Sequence, residues 1–295
     1  MLHSITNDPL PGNPAAIRPV FVAPRVLREV KVVALSPTTL PFTKVASTEW
    51  WPKGPTAKIR HKLFRRIMNE RYVLATCVVV CLAILSEVYA DPDVRLRYRS
   101  SPIADFGIVC GSVRVTAEDR LGYLLSDGTF IPGNDPEDHF WIYFKTARGE
   151  EVYLDNNMFG FNLAHVATTD AFFDEPPGNL MGMVPAFFSD RELNRHIAAI
   201  NLLHREQRRF SVLRDVNLHK AVLRRNIDYN AILAFTKKVA KRELNSDEKN
   251  LIPKWVGVAL YTVGVAMSEG KWKQWPTTPP SFMADTDPGQ MDGFK

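Results

Sequence analysis

The sequence predicts an α+β fold, and three observations carry that prediction. Residues 72–90 form an apolar run long enough for a helix, residues 138–155 alternate in the manner of a β-hairpin, and after residue 189 the apolar positions recur at helical spacing. Helical and strand patterns are thus segregated along the chain, which points to helices packed on an antiparallel sheet.

The organisation follows from composition. Residues 1–55 hold nine of the 21 prolines and show no sustained period of 3.6 or 2, so they read as a disordered Pro-rich arm. Residues 276–295, with Pro276, Pro279, Pro280 and Pro288, read as a disordered tail. Between them lie an α+β core at 56–188, with a buried helix and a hairpin, and a helical region at 189–275 packed on it. That length suffices for one hydrophobic interior.

Three cysteines, Cys77, Cys81 and Cys110, are too few and too odd in number for a disulfide framework, which implies a reducing compartment, cytoplasmic or nuclear. Residues 1–16 lack a basic stretch followed by an apolar one, so no signal peptide is expected. Without paired CxxC spacings a thiolate zinc site is not expected, and no P-loop or dinucleotide glycine fingerprint announces a cofactor. The net charge of +5 implies only mild attraction to acidic partners.

In chain order, residues 58–89 read as one long helix or two abutting ones, amphipathic to Arg71, apolar beyond it and stopped by Asp91-Pro92. Residues 72–90 carry one charge, Glu87, and match a bilayer in length. Arginines flank both ends (Arg65, Arg66 and Arg71, then Arg95, Arg97 and Arg99), so the positive-inside rule gives no orientation. A buried core helix and a membrane span therefore both stand as readings of this segment. Residues 106–115 read as a β-branched strand and 121–125 as a second, closed by Ser126-Asp127-Gly128. The stretch Ser189-Asp190-Arg191-Glu192 has capping-box form and is followed by Leu193, Ile197, Ile200 and Leu203 on one helical face. Further helices are expected over 212–223, 229–240 and 246–268, the last with Pro253 near its start.

The hairpin is the most informative stretch. Phe140, Ile142 and Phe144 on its first strand and Val152 and Leu154 on its second are the apolar positions, and opposed residues share a face. Their pairing requires a three-residue loop of Ala147, Arg148 and Gly149, with the glycine left-handed. That register sets Trp141 opposite Asp155 and His139 diagonal to it on the same face, within hydrogen-bonding reach. A carboxylate on one imidazole nitrogen fixes the tautomer and leaves the other nitrogen for proton transfer. Cys77 is the candidate nucleophile, completing a catalytic set of Cys77, His139 and Asp155.

These residues resemble the transglutaminase-like branch of the papain-like cysteine peptidases. The match rests on Cys77 followed by Cys81-Leu82-Ala83-Ile84-Leu85, then on Gly111-Ser112-Val113-Arg114-Val115, His139-Phe140-Trp141-Ile142 and Leu154-Asp155. The resemblance covers about residues 71–161 and implies a thiol-dependent amide hydrolase or acyltransferase acting on a protein or peptide, or an inactive relative serving as an interaction module. Two departures are visible: no glycine stands two before Cys77, and no tryptophan follows it. Residues 138–162 and Val184-Pro185-Ala186-Phe187-Phe188 also look like segments of uncharacterised basidiomycete fungal proteins.

Two other signals are weighed against this. Residues 191–242 hold 13 Lys or Arg against four Asp or Glu, but the charges are dispersed and aromatics are sparse, so a solvated helical face is preferred and nucleic acid is not the expected partner. His165, His196, His204 and His219 raise a metal hypothesis. With His196 and His204 eight apart on one expected helix, no metal site is anticipated.

Overall fold

The computed structural model describes residues 15–20, 30–35, 66, 72–90, 94–98, 100–115, 119–124, 130–161, 165–168, 183–190, 204–223, 226–270, 273 and 282–284. It is an α+β protein with two sheets and a helical layer. In the smaller sheet, β1 (Ala15–Val20) and β2 (Val30–Leu35) pair antiparallel. Strand β2 then pairs parallel with β5 (Leu121–Leu124), which in turn pairs with β6 (Phe130–Pro132). β2 is the run Val30-Lys31-Val32-Val33-Ala34-Leu35, whose β-branched side chains suit a strand.

The larger sheet has eight strands. These are β3 (Arg97–Tyr98), β4 (Ser101–Val113), β7 (His139–Thr146), β8 (Glu151–Asp155), β9 (His165–Thr168), β10 (Met183–Asp190), β11 (His204–Ser211) and β12 (Phe282–Ala284). They run in the order β11-β4-β7-β8-β10-β9-β12, with β3 beside β4. The hairpin has the expected register: Ile142 faces Leu154, Phe144 faces Val152, and Gly149 takes φ of 86° in the loop.

The expected helix start at Ser189 is corrected, because Ser189 and Asp190 pair with Tyr153 and Val152 at the end of β10. His204, expected on the same helix, instead opens β11, an antiparallel partner of β4. The boundary placed at 188/189 therefore cuts a strand, and the region after it is strand and helix rather than helix alone. Leu193, Ile197, Ile200 and Leu203 lie outside the described residues. Within residues 276–295, β12 pairs with β9.

Helices cover one face of the large sheet. α1 (Val73–Ala83) continues into a π-helical turn, Ile84–Val88, and is buried nearly all round. It packs with Ile108, Cys110, Phe140 and Ile142 from the sheet and with Ile252, Val256 and Leu260 from α4 (Ser246–Ser268). Burial against protein on all sides accounts for the apolar character of residues 72–90. α2 (Val216–Val222) and α3 (Tyr229–Ala240) complete the layer, with Asp215 and Asp228 as N-caps accepting from backbone amides one turn in. The opposite sheet face carries Val109, Trp141, Tyr143 and Tyr153, a separate aromatic cluster.

Candidate metal centre

Alternation along β7 decides which side chains meet. Phe140 and Ile142 enter the helix-covered core, so His139 and Trp141 point to the other face. There His139, first in its strand, meets Asp155, last in β8: its Nε2 lies 2.6 Å from Asp155 Oδ2. His204, first in β11, brings its own Nε2 to 2.9 Å from the same oxygen. The ligand atoms of all three residues fall within 4.8 Å of one another.

The path of His204 depends on a glycine. Strand β4 lies between β11 and β7, and Gly111 pairs with His139 two residues from Val113, the partner of His204. A Cβ on Gly111 would sit 2.2 Å from the Arg205 carbonyl oxygen and 2.7 Å from Cη2 of Trp141. Only the bare backbone lets β11 and the indole close over this point. A bulge between Glu206 and Arg208 adds local twist to β11. The Trp141 and His204 rings then meet edge to face at 4.8 Å between centroids.

Asp155 is the hub. Its Oδ2 faces both imidazoles, while Oδ1 accepts the backbone N–H groups of Asn157 at 2.8 Å and Met158 at 3.0 Å. These bonds wind the chain into the 3-10 turn Met158–Phe161. Arg66, itself buried, clamps that turn by donating from Nε and Nη2 to the Gly160 carbonyl. Burial alone would raise the Asp155 carboxyl, but His139 and then His204 outweigh it and hold it well below the usual carboxylate range. The centre therefore keeps a sealed anion, with Asp155 wholly buried and the His139 and His204 side chains almost so. An anion in such a place requires compensation by a protonated imidazole or by a cation.

His139 Nδ1 is buried with no hydrogen-bond partner among the described residues. The ring is held instead by Nε2, by Trp141 stacked at 6.1 Å and by Phe161 at 5.5 Å.

Of the three residues expected to act together, His139 and Asp155 share a hydrogen bond, and Cys77 is linked to Asp155 through Asn157, whose backbone N–H donates to Asp155 Oδ1. The Cys77 sulfur is buried within α1, on the helix-covered face, and takes a weak bond from Asn157 Nδ2 at 3.9 Å. Burial, followed by the neighbouring Cys81 and the Asp155 charge, pushes its thiol well above the ordinary value. That is the reverse of what a thiolate nucleophile requires. Cys81 and Cys110 are raised by burial as well, Cys110 less simply because Arg208 Nη2 donates to its sulfur at 3.1 Å.

His204, weighed from the sequence as a ligand and set aside because it was placed on a helix, is the residue that joins the pair. Its signal was the run His204-Arg205-Glu206-Gln207-Arg208-Arg209, too polar to suggest a strand and placed in a helix by the apolar spacing upstream. Of the other histidines, His219 donates to the Leu213 carbonyl at 2.6 Å as a local brace, and the side chains of His165 and His196 lie outside the described residues. Comparison of the chain with protein-family models, with curated proteins and with solved structures finds no match.

Proposed function

We propose that this chain is a metal-binding protein whose His139, Asp155 and His204 hold one divalent transition ion, zinc by preference. The convergence of two imidazole nitrogens and a buried carboxylate within 4.8 Å carries this reading. Imidazole and carboxylate suit a borderline cation, and a four-coordinate ion needs ligands at ~2.0–2.2 Å, hence roughly 3.4 Å from one another. The observed edges of 2.6 and 2.9 Å both fall short of that value and the third is bounded by 4.8 Å, so binding requires the carboxylate and the two rings to adjust by roughly 1 Å. Three protein ligands leave the fourth position of a tetrahedral ion to water, and zinc, which has no geometric preference of its own, accepts such a set. Metal and protons compete for the same atoms: without the ion, N–H groups from the rings hold Oδ2, and with it the ion replaces them.

The test is metal analysis of the purified full-length chain after exposure to zinc and desalting, alongside calorimetric titration. One equivalent per chain is expected, dropping to background in His204→Ala and Asp155→Asn. A chain that is folded by circular dichroism yet takes up no ion would overturn the proposal and leave a proton-bridged structural cluster.

A second reading, a thiol-dependent amide hydrolase or acyltransferase of transglutaminase-like type on a protein or peptide substrate, has the His139 to Asp155 hydrogen bond in its favour. It requires the buried Cys77 sulfur to become accessible and to meet the His139 ring. Iodoacetamide at neutral pH discriminates: fast labelling of Cys77 alone supports the hydrolase, and slow labelling of all three cysteines removes it.

A further inference from the structure

The metal centre leaves α4 unexplained. One side of this 23-residue helix enters the core through Ile252, Val256 and Leu260. On its opposite side Lys254, Val258, Tyr261 and Val265 recur at spacings of four and three, which places them on one stripe. Val258 is 66 % and Tyr261 74 % exposed, and Tyr229 of α3, also exposed, lies alongside, its hydroxyl 3.6 Å from where a Cβ on Gly257 would stand. Three of the five exposed large apolar side chains among the described residues thus share one patch. Scattered exposed apolar residues need no explanation, but a shared patch on a helix without charge from Trp255 to Ser268 does.

What flanks the patch identifies its occupant. Lys254 precedes the uncharged run, and Lys271-Trp272-Lys273 with Trp275 follows it in the sequence, so two of the chain's six tryptophans come just after this helix, while Trp255 within it packs against Tyr72. Tryptophan and tyrosine prefer the headgroup level of a bilayer, and lysine is drawn to anionic headgroups. Glu269 opposes this at one end, leaving an excess of basic charge between Lys254 and Lys273.

The helix is long and apolar enough by composition to cross a membrane. Its uncharged run of 14 residues nevertheless reaches only ~21 Å at 1.5 Å per residue, short of a hydrocarbon core of ~30 Å. Crossing would also strip Ile252, Val256 and Leu260 from α1. We infer that α4 docks in plane on an anionic lipid surface, with Val258, Tyr261 and Val265 entering the headgroup boundary and Lys254 and Lys273 at the anionic phosphates.

The experiment is flotation of the full-length chain with vesicles of phosphatidylcholine alone or containing phosphatidylserine, at low and high salt. Binding is expected only with phosphatidylserine, weakened several-fold by high salt and lost in the Val258→Asp, Tyr261→Asp double variant. Lys254→Glu, which leaves the apolar stripe intact, should reduce binding by a smaller factor. Because the altered side chains are exposed, the variants should melt as the parent does, and the melting curve is recorded with each. Absence of flotation, or concentration-dependent self-association abolished by the same double variant, overturns the inference, the latter assigning the face to a second copy.

Discussion

Gly111 is the residue on which the centre turns. Its missing side chain makes room for the Arg205 carbonyl and the Trp141 ring at distances no Cβ tolerates. Gly111→Ala is therefore expected to displace the start of β11, costing roughly 1–3 kcal/mol as an overpacking change and carrying His204 away from Asp155. Equilibrium unfolding and zinc titration of the same variant check both halves, and unchanged zinc affinity would show that His204 is positioned by something else. Asp155 gives a second prediction at this scale. Its carboxylate accepts four bonds in a dry site, so Asp155→Ala leaves two imidazoles and two backbone amides without their acceptor. A loss of about 3–5 kcal/mol is expected in denaturant melts of the metal-free chain. A loss under 1 kcal/mol would mean that the cluster is not a structural keystone.

Among the elements, α4 shows how a short motif sets a helix start. Asn245 Oδ1 accepts from Glu248 N–H at 2.8 Å and Glu248 Oε2 accepts from Asn245 N–H at 3.0 Å, a reciprocal capping box. Arg242 adds two bonds of 2.7 Å to the same carboxylate. Asn245→Ala should cost ~1 kcal/mol, read from thermal melts. Burial pushes the Glu248 carboxyl up, but the bonds from Arg242 and the Asn245 amide prevail and hold it below its ordinary value. A carboxylate depressed in the folded state contributes stability above its unfolded pKa, about 4.3, and loses it as pH falls through the lower folded value. The stability gap between the parent and Glu248→Gln should thus be full near neutrality and shrink below about pH 4. A gap independent of pH would contradict the ionised capping box.

Across the whole molecule, the large sheet is closed on one face by α1 and carries on the other the cluster of Val109, Trp141, Tyr143 and Tyr153. β4 lies between β11 and β7 and is buried along almost its full length. Its amides near Val109 and Cys110, together with those of α1, should exchange most slowly with deuterium, whereas those around the exposed Val258 to Thr262 segment of α4 should exchange sooner. Faster exchange in β4 than in α4 would mean that the sheet is not the stable body of the fold.

The hairpin was legible from sequence because strand periodicity is local. Alternation at Phe140, Ile142 and Phe144 fixed the register, the left-handed Gly149 and the meeting of His139 with Asp155. The same was true of α3 and α4, whose limits coincide with the expected ones. What only the tertiary structure decided was the pairing between distant segments. The polar run at His204 is a strand because β4 supplies its hydrogen bonds, and Gly111 is required because another strand passes over it. Neither fact has a period along the chain, since non-local partners override weak local propensity. The sequence alone determined the α+β class and one imidazole–carboxylate pair, and the fold added the second imidazole that makes the pair a candidate for a cation.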